Sequence, residues 1–181
     1  MTETSLASSA EIRLGFFIGL FAVMALLEAW RPRRARILSR WRRWPGNLGI
    51  VALNWVLLRV IFPAVPLGLA MLAQAQGWGL LNILDLPAWL AVVIAFALFD
   101  LAIYLQHVMV HAVPALWRLH RMHHADLDFD VTTGARFHPV EILLSLVIKL
   151  VVVVALGPSG MAVFIFEVLL NLKDLRFLRS G

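Results

Sequence analysis

Four long apolar segments constrain the fold of this 181-residue chain more than any other feature of its sequence. They cover residues 12–30, 48–74, 88–106 and 142–170, and a membrane-spanning helix requires about 20 such residues. Hydrophobic residues make up 61% of the chain and charged residues only 15%, whereas soluble domains usually carry about 25% charged residues. The pattern predicts an all-α, polytopic integral membrane protein with about four transmembrane helices.

Helix-breaking residues interrupt two of these segments. Pro63 and Pro66 are expected to kink or divide the second segment. The sequence Gly157-Pro158-Ser159-Gly160 interrupts the fourth, which therefore forms either one long span or a re-entrant pair of half-helices. Before the second segment, Pro45-Gly46-Asn47 is predicted to be a further break.

Arginines are concentrated directly after the first apolar segment, where seven of the fourteen lie between Arg31 and Arg43. Basic residues beside a span mark the cytoplasmic side and attract anionic lipid headgroups. Two predicted spans separate this cluster from the histidines, so both should lie in the cytoplasm. No aromatic-rich basic motif accompanies the net charge of +5, so nucleic acid is not predicted as a partner.

All six histidines fall within 32 consecutive positions of the chain. Their offsets are four within the first group and three and four within the second, and residues at these spacings share one face of a helix. Because the chain contains no cysteine, any metal must be bound through His, Asp or Glu. The pattern predicts a metal site in a histidine-rich helical region, with the ligands His107, His111, His120, His123 and His124.

Other polar residues near the histidines suggest supporting roles. Asp100 and Tyr104 share a helical face with His107, which predicts that Asp100 orients a ligand imidazole. The alternative is that Asp100 pairs with another helix. His138 precedes a proline and should lie in a loop or at a helix start, with its role as a metal ligand left open.

Three aspartates follow the second histidine group, at Asp126, Asp128 and Asp130. They lack the glycine and glutamate positions of a calcium-binding loop. We expect them to form a solvated loop or to support the metal ligands.

Neutral imidazole suits zinc, copper, iron and nickel, and open positions beside nitrogen ligands are typical of non-haem iron sites that use oxygen. The zinc-protease motif is absent, because Val108 occupies the position of its glutamate. Haem is a competing cofactor, but membrane proteins that bind haem through two histidines place single histidines in different spans.

In these motifs the chain resembles the fatty acid hydroxylase superfamily, which includes the sterol desaturases, and is most similar to bacterial sterol-desaturase-like members. The resemblance covers roughly residues 89–171, and it implies a location in a bacterial inner membrane. It is carried by Asp100-x-x-x-Tyr104-x-x-His107-x-x-x-His111, Leu116-Trp117-Arg118-x-His120-x-x-His123-His124 and Thr132-Thr133-Gly134-x-Arg136-Phe137-His138-Pro139-x-Glu141.

The resemblance implies a membrane-bound, non-haem di-iron enzyme that uses O2 to hydroxylate or desaturate a sterol, a fatty acyl chain or a related lipid. It implies that the five histidines of the two groups bind iron, that His138 occupies a motif position, and that Asp100, Tyr104 and Glu141 support the ligands. Electrons would come from a separate donor such as a cytochrome b5-like protein, a ferredoxin or a flavoprotein reductase. No residue is predicted to be a catalytic acid or base, or to bind substrate.

The resemblance also divides the chain. Residues 1–86 would form an N-terminal membrane region with two spans and an arginine-rich loop, residues 87–171 a partial hydroxylase domain, and residues 172–181 a divergent basic tail. The superfamily carries further histidines after this point, whereas none follows His138 here. We therefore expect a C-terminally truncated member with an incomplete ligand set and impaired activity. The alternatives are a non-catalytic metal-binding protein or scaffold, and a haem-binding subunit.

Overall fold

The computed structural model describes residues 3–31, 37–61, 65–84, 86–128 and 130–177, and within these ranges every regular element is a helix. The prediction of an all-α fold is confirmed for this part of the chain. In order, the helices are α1 (Glu3–Trp30), α2 (Arg40–Ile61), α3 (Val65–Ala75), α4 (Leu80–Ile83), α5 (Ala88–Ala112), α6 (Pro114–His124), α7 (Val131–Gly134), α8 (Pro139–Leu156) and α9 (Gly160–Phe177).

Within the described ranges, two helices, α5 and α8, are long and apolar enough to cross a membrane. The apolar stretches Leu14–Trp30 in α1 and Gly160–Leu170 in α9 are shorter. The second apolar segment is divided between α2 and α3, and residues 62–64 between them lie outside the described ranges. The structure therefore supports a membrane protein with at least two candidate spans, while the number four stays a prediction.

The fourth apolar segment forms two helices, which meet at Gly157. This glycine ends α8 in the left-handed conformation (φ 61°, ψ 47°), and its N–H donates to the carbonyl of Val153 at 2.8 Å. Gly79 approaches the same point so closely that a Cβ there would overlap the Gly157 backbone. The side-chain amide of Asn82 donates to the Gly157 carbonyl at 3.0 Å. This hydrogen bond joins α4, the short helix before α5, to the end of α8.

The buried core holds α3, α5, α8 and α9 together. At its centre the rings of Phe99 and Phe166 are stacked with their centroids 4.8 Å apart. Around them lie the small and branched side chains that let the helices approach one another, namely Ala70, Leu81, Ala95, Val153, Leu156, Ala162 and Val163. This packing sets α5 beside α8, so the end of α5 and the start of α8 share one end of the bundle.

The predicted break at Pro45-Gly46-Asn47 is wrong, because α2 begins at Arg40 and continues through Pro45. A proline inside a helix removes one backbone hydrogen bond. Here the turn is held by tertiary contacts on both sides of the proline. Arg43 binds three aspartates of the α6–α7 loop, and the Asn47 amide donates to Asp126 and to Thr132, at 2.9 Å each.

Candidate metal centre

A tight turn between α5 and α6 brings the two histidine groups together. Val113 both ends α5 and precedes α6, whose first residue, Pro114, supplies a backbone angle suited to a helix start. The short α6 therefore folds back against the last turns of α5. As a result the second histidine group faces the first although the two lie on different helices.

Three histidines form the centre of the site. His107 and His111, one turn apart on α5, have ring centroids 4.7 Å apart, and His120 of α6 lies 5.0 Å and 4.7 Å from them. One nitrogen from each ring can be chosen so that all three lie within 4.8 Å of one another. His107 and His111 are exposed while His120 is buried, so the group opens to one side. Three imidazoles converging in this way can hold a metal ion.

His124 extends this group to a fourth imidazole. Its Nε2 lies 3.2 Å from the Nε2 of His120. Two nitrogens that each bind one ion at about 2.1 Å, at an angle between tetrahedral and right-angled, are separated by about 3.0–3.4 Å. The observed separation therefore suits two ligands of a single ion, and the donor set fits a transition metal that prefers imidazole.

Glu141 fixes the orientation of His120. Its Oε1 lies 2.6 Å from the Nδ1 of His120, and the two residues are 4% and 0% exposed. With the Nδ1 proton donated to this carboxylate, the Nε2 of His120 is left free to face the other histidines. A carboxylate behind a ligand imidazole is the usual means of fixing both its tautomer and its ring orientation.

His123 lies at the edge of the cluster. Its ring stacks on Phe137 with centroids 4.6 Å apart and planes inclined by 9°. The centroid is 5.6 Å from that of His120 and 5.1 Å from that of His124. Its buried Nδ1 has no hydrogen-bond partner among the described residues, so this nitrogen has the capacity to bind a ligand.

His138 caps α8, which begins at Pro139. Its Nδ1 accepts a hydrogen bond from the backbone N–H of Val140 at 3.2 Å. This position matches the helix start that the sequence predicts. The group of three converging histidines does not include His138, whose role as a ligand stays a prediction.

The residues predicted on α5 take different positions. Tyr104 is 61% exposed, and Asp100 is half-buried within the candidate span. On α8, the structure places the Glu141 carboxylate against the clustered imidazole of His120. The role predicted for Asp100 therefore stays a prediction, whereas Glu141 has a direct contact that can perform it.

The histidines of α6 are held in the neutral form. Burial lowers the pKa of His120 and of His124, and the neighbouring imidazoles lower both further. Burial, followed by the charges of His124 and His120, lowers the pKa of His123 to about 4. Neutral imidazole is the form that binds metal, so the cluster is prepared to accept an ion at neutral pH.

Trp117 is a part of the site to which the sequence analysis gave no role. Its ring centroid lies 5.1 Å from that of His111 and 5.7 Å from that of His124, and the side chain is 37% exposed. The sequence does indicate that Trp117 lies near the cluster, because it precedes His120 by three residues and residues three apart share a helical face. The indole covers one side of the cluster.

The aspartates after α6 form a buried ion-pair network, so the expectation of a solvated loop is wrong. Arg43 Nη1 lies 2.9 Å from Asp126, its Nε lies 3.7 Å from Asp128 and its Nη2 lies 2.5 Å from Asp130. The Trp44 indole also donates to Asp130, at 3.0 Å. This loop connects α6 to α7 and so fixes the end of α6 that carries the second histidine group.

The network also joins the two halves of the chain. The side chain of Asp128 accepts hydrogen bonds from the backbone N–H groups of Ile37 and Leu38, at 2.9 Å and 2.8 Å. The described part of the arginine-rich segment therefore directly contacts the loop that follows the second histidine group. The two predicted regions meet at one end of the bundle, while residues 32–36 lie outside the described ranges.

The fold and the site define a class of protein, an α-helical protein with candidate membrane spans and a histidine cluster at the end of one of them. The family model for fatty acid hydroxylase matches residues 92–177. The matched region includes all six histidines, and the match supports membership of the fatty acid hydroxylase superfamily. No curated protein and no solved structure is significantly similar to the chain.

Proposed function

We propose that this chain is a membrane-bound, non-haem di-iron oxidoreductase that hydroxylates or desaturates a lipid with O2. The observation that carries the proposal is the convergence of His107, His111 and His120 within 4.8 Å, inside the region that matches the family. Iron bound there would supply the activation of O2. In hydroxylation, O2, two electrons and two protons convert one C–H bond to C–OH and release one water.

The protein would position the iron and the lipid. His107, His111, His120 and His124 offer nitrogen ligands at one end of the candidate spans, with Glu141 behind His120. His123 and His138 are further candidate ligands for a second ion. The substrate would be a sterol, a fatty acyl chain or a related lipid that enters from the bilayer.

The two electrons require a separate donor, for which a cytochrome b5-like protein, a ferredoxin or a flavoprotein reductase is suitable. Arg118 and Arg121 are exposed on α6, beside the cluster, and would favour an acidic protein or anionic lipid headgroups. We place this end of the bundle in the cytoplasm because arginines are concentrated there.

The test of the site is the iron content of the purified protein. His120→Ala should lose most of the iron, whereas Arg121→Ala, a change at an exposed position on the same helix, should retain it. Equal iron in the parent and in His120→Ala would contradict the proposed site. Oxygen-dependent conversion of a lipid, measured with an added reductase, tests the activity separately.

A second candidate is a non-catalytic protein that binds a single metal ion. It is favoured by the size of the group of three histidines, which suits one ion. One iron per chain without lipid conversion would support this alternative, and two irons with conversion would support the enzyme.

A further inference from the structure

A line of polar side chains runs along α8 from the histidine cluster into the candidate span. Glu141, Ser145 and Lys149 follow one another at steps of four, so they share one face of the helix. At about 1.5 Å of rise per residue, the line extends about 12 Å along the helix. Such residues are unfavourable in a bilayer unless they face other protein groups.

Each member of this line contacts a different helix. Glu141 binds His120 of α6, and Ser145 accepts a hydrogen bond from the side-chain amide of Gln106 on α5. Lys149 Nζ lies 3.2 Å from the carboxylate of Glu167 on α9. The polar face of α8 is therefore turned toward the other helices and away from lipid.

Two acceptors in this region lack a donor among the described residues. They are Oε1 of Gln106 and Oε2 of Glu141, and both atoms are buried. Glu141 is only 4% exposed, and its other oxygen is occupied by His120. A buried polar group without a partner is costly, and within a hydrocarbon region the cost rises to several kcal/mol.

Gln106 Oε1 is an acceptor, and Glu141 Oε2 is an acceptor while the carboxylate is ionised, so a hydrogen-bond donor can complete either atom. An ammonium group could donate, but bringing a charge through hydrocarbon is far more costly than bringing a neutral hydroxyl. Gln106 immediately precedes His107, and Glu141 contacts His120, so a donor placed here lies beside the cluster.

We propose that Gln106, Ser145 and Glu141 form a subsite between α5 and α8 that binds the hydroxyl group of a lipid. The inference rests on the proposed function and deepens it, since it names a hydroxyl-bearing lipid as the substrate class. Water offers the same hydroxyl chemistry, and the experiment has to distinguish the two sources.

The test measures lipid binding to the metal-free protein in nanodiscs. Unlabelled hexadecan-1-ol and 1-methoxyhexadecane compete against tritiated hexadecan-1-ol; the ether has a similar chain but no hydroxyl proton. The alcohol should compete about tenfold better, the difference expected for one hydrogen bond to buried acceptors. Equal competition, or no saturable binding of the alcohol, would indicate a site filled by water and overturn the proposal.

Single substitutions test which side chains cause the preference for the alcohol over the ether. Gln106→Met keeps the length of the side chain but removes the acceptor, and the hydroxyl of Ser145 can then bond to its own helix backbone. This variant should reduce the preference for the alcohol, because only the Glu141 acceptor is left, and Gln74→Met, at an exposed position of α3, should preserve it. Full preference in Gln106→Met would contradict the assignment. Ser145→Ala, which should reduce the preference, provides a second test if Gln106→Met does not fold.

The result of the lipid-binding test does not depend on whether the protein binds iron or oxidises a lipid. Binding is measured without metal, whereas iron content and lipid oxidation are measured on the loaded protein. A chain that distinguishes alcohol from ether but binds no iron would contradict only the proposed function. A chain that binds iron but does not distinguish the lipids would contradict only the hydroxyl subsite.

Discussion

Arg43 Nη2 lies 2.5 Å from Asp130 Oδ2, although the two residues are 87 positions apart in the chain. Burial would lower the pKa of this arginine, but Asp126 and Asp130 outweigh that effect and raise it. The ion pair joins the start of α2 to the loop that follows the second histidine group. The N-terminal half therefore takes part in positioning the candidate metal centre.

Removing this arginine should destabilise the protein. Arg43→Met leaves buried carboxylates without their cation, which typically costs about 3–5 kcal/mol in the free energy of unfolding. The measurement is denaturant unfolding in detergent, followed by tryptophan fluorescence. Arg42→Met, at the exposed neighbouring position, is the control and should change the free energy by less than about 0.5 kcal/mol. A loss of equal size in both variants would argue against the network.

Glu141 should control metal affinity through His120. Glu141→Gln keeps the size of the side chain but removes the negative charge behind the imidazole, so the affinity for iron should fall about 10–100-fold. Titration of the metal-free protein gives the Kd, and circular dichroism checks that the helices are retained. An unchanged Kd in a folded variant would show that the 2.6 Å contact does not tune the site.

Acid should weaken the folded site. His123 has a pKa of about 4 in the folded protein and about 6.5 when unfolded, so between these values the unfolded chain binds a proton that the folded chain does not. Stability should therefore fall as the pH decreases from about 6.5 to about 4, and then become constant with respect to this group. The shifts of His120 and His124 have the same direction.

The measurement for this prediction is the unfolding midpoint of the metal-free protein as a function of pH. In His123→Gln the decrease should be shallower, because one titrating group is gone. A decrease as steep as that of the parent would assign the acid sensitivity to other groups.

Gly157 should tolerate no side chain. An alanine there must adopt a left-handed conformation, which costs about 1–2 kcal/mol, and its Cβ would also overlap the Trp78 carbonyl and the Asn82 side chain. Gly157→Ala should therefore lower the free energy of unfolding by more than about 2 kcal/mol. Gly68→Ala is the control, since this glycine lies inside α3 with open space around it, and alanine should stabilise that helix by about 0.5–1 kcal/mol. Similar stability of both variants would contradict the close contact at the end of α8.

The sequence by itself determined the helical class and the chemistry of the candidate site. Apolar segments of spanning length can satisfy their backbone only as helices, and α5 and α8 appear where the third and fourth segments predict them. The spacing of His107 and His111, and of His120 and His124, placed each pair on one helical face because that relationship is local. The resemblance to the fatty acid hydroxylase superfamily also depends on residues close together in the chain.

Only the tertiary structure decided what the residues far apart in the chain do. Local preferences alone predict a break at Pro45 and allow a solvated loop at the aspartates after α6. The break and the solvated loop are wrong because Arg43 and Asn47 join the two segments. The contact of Glu141 with His120, and the two acceptors that lack a donor, likewise depend on how α5, α6 and α8 pack. Spacing along one helix fixes which side chains share a face, but the packing between helices decides what that face meets.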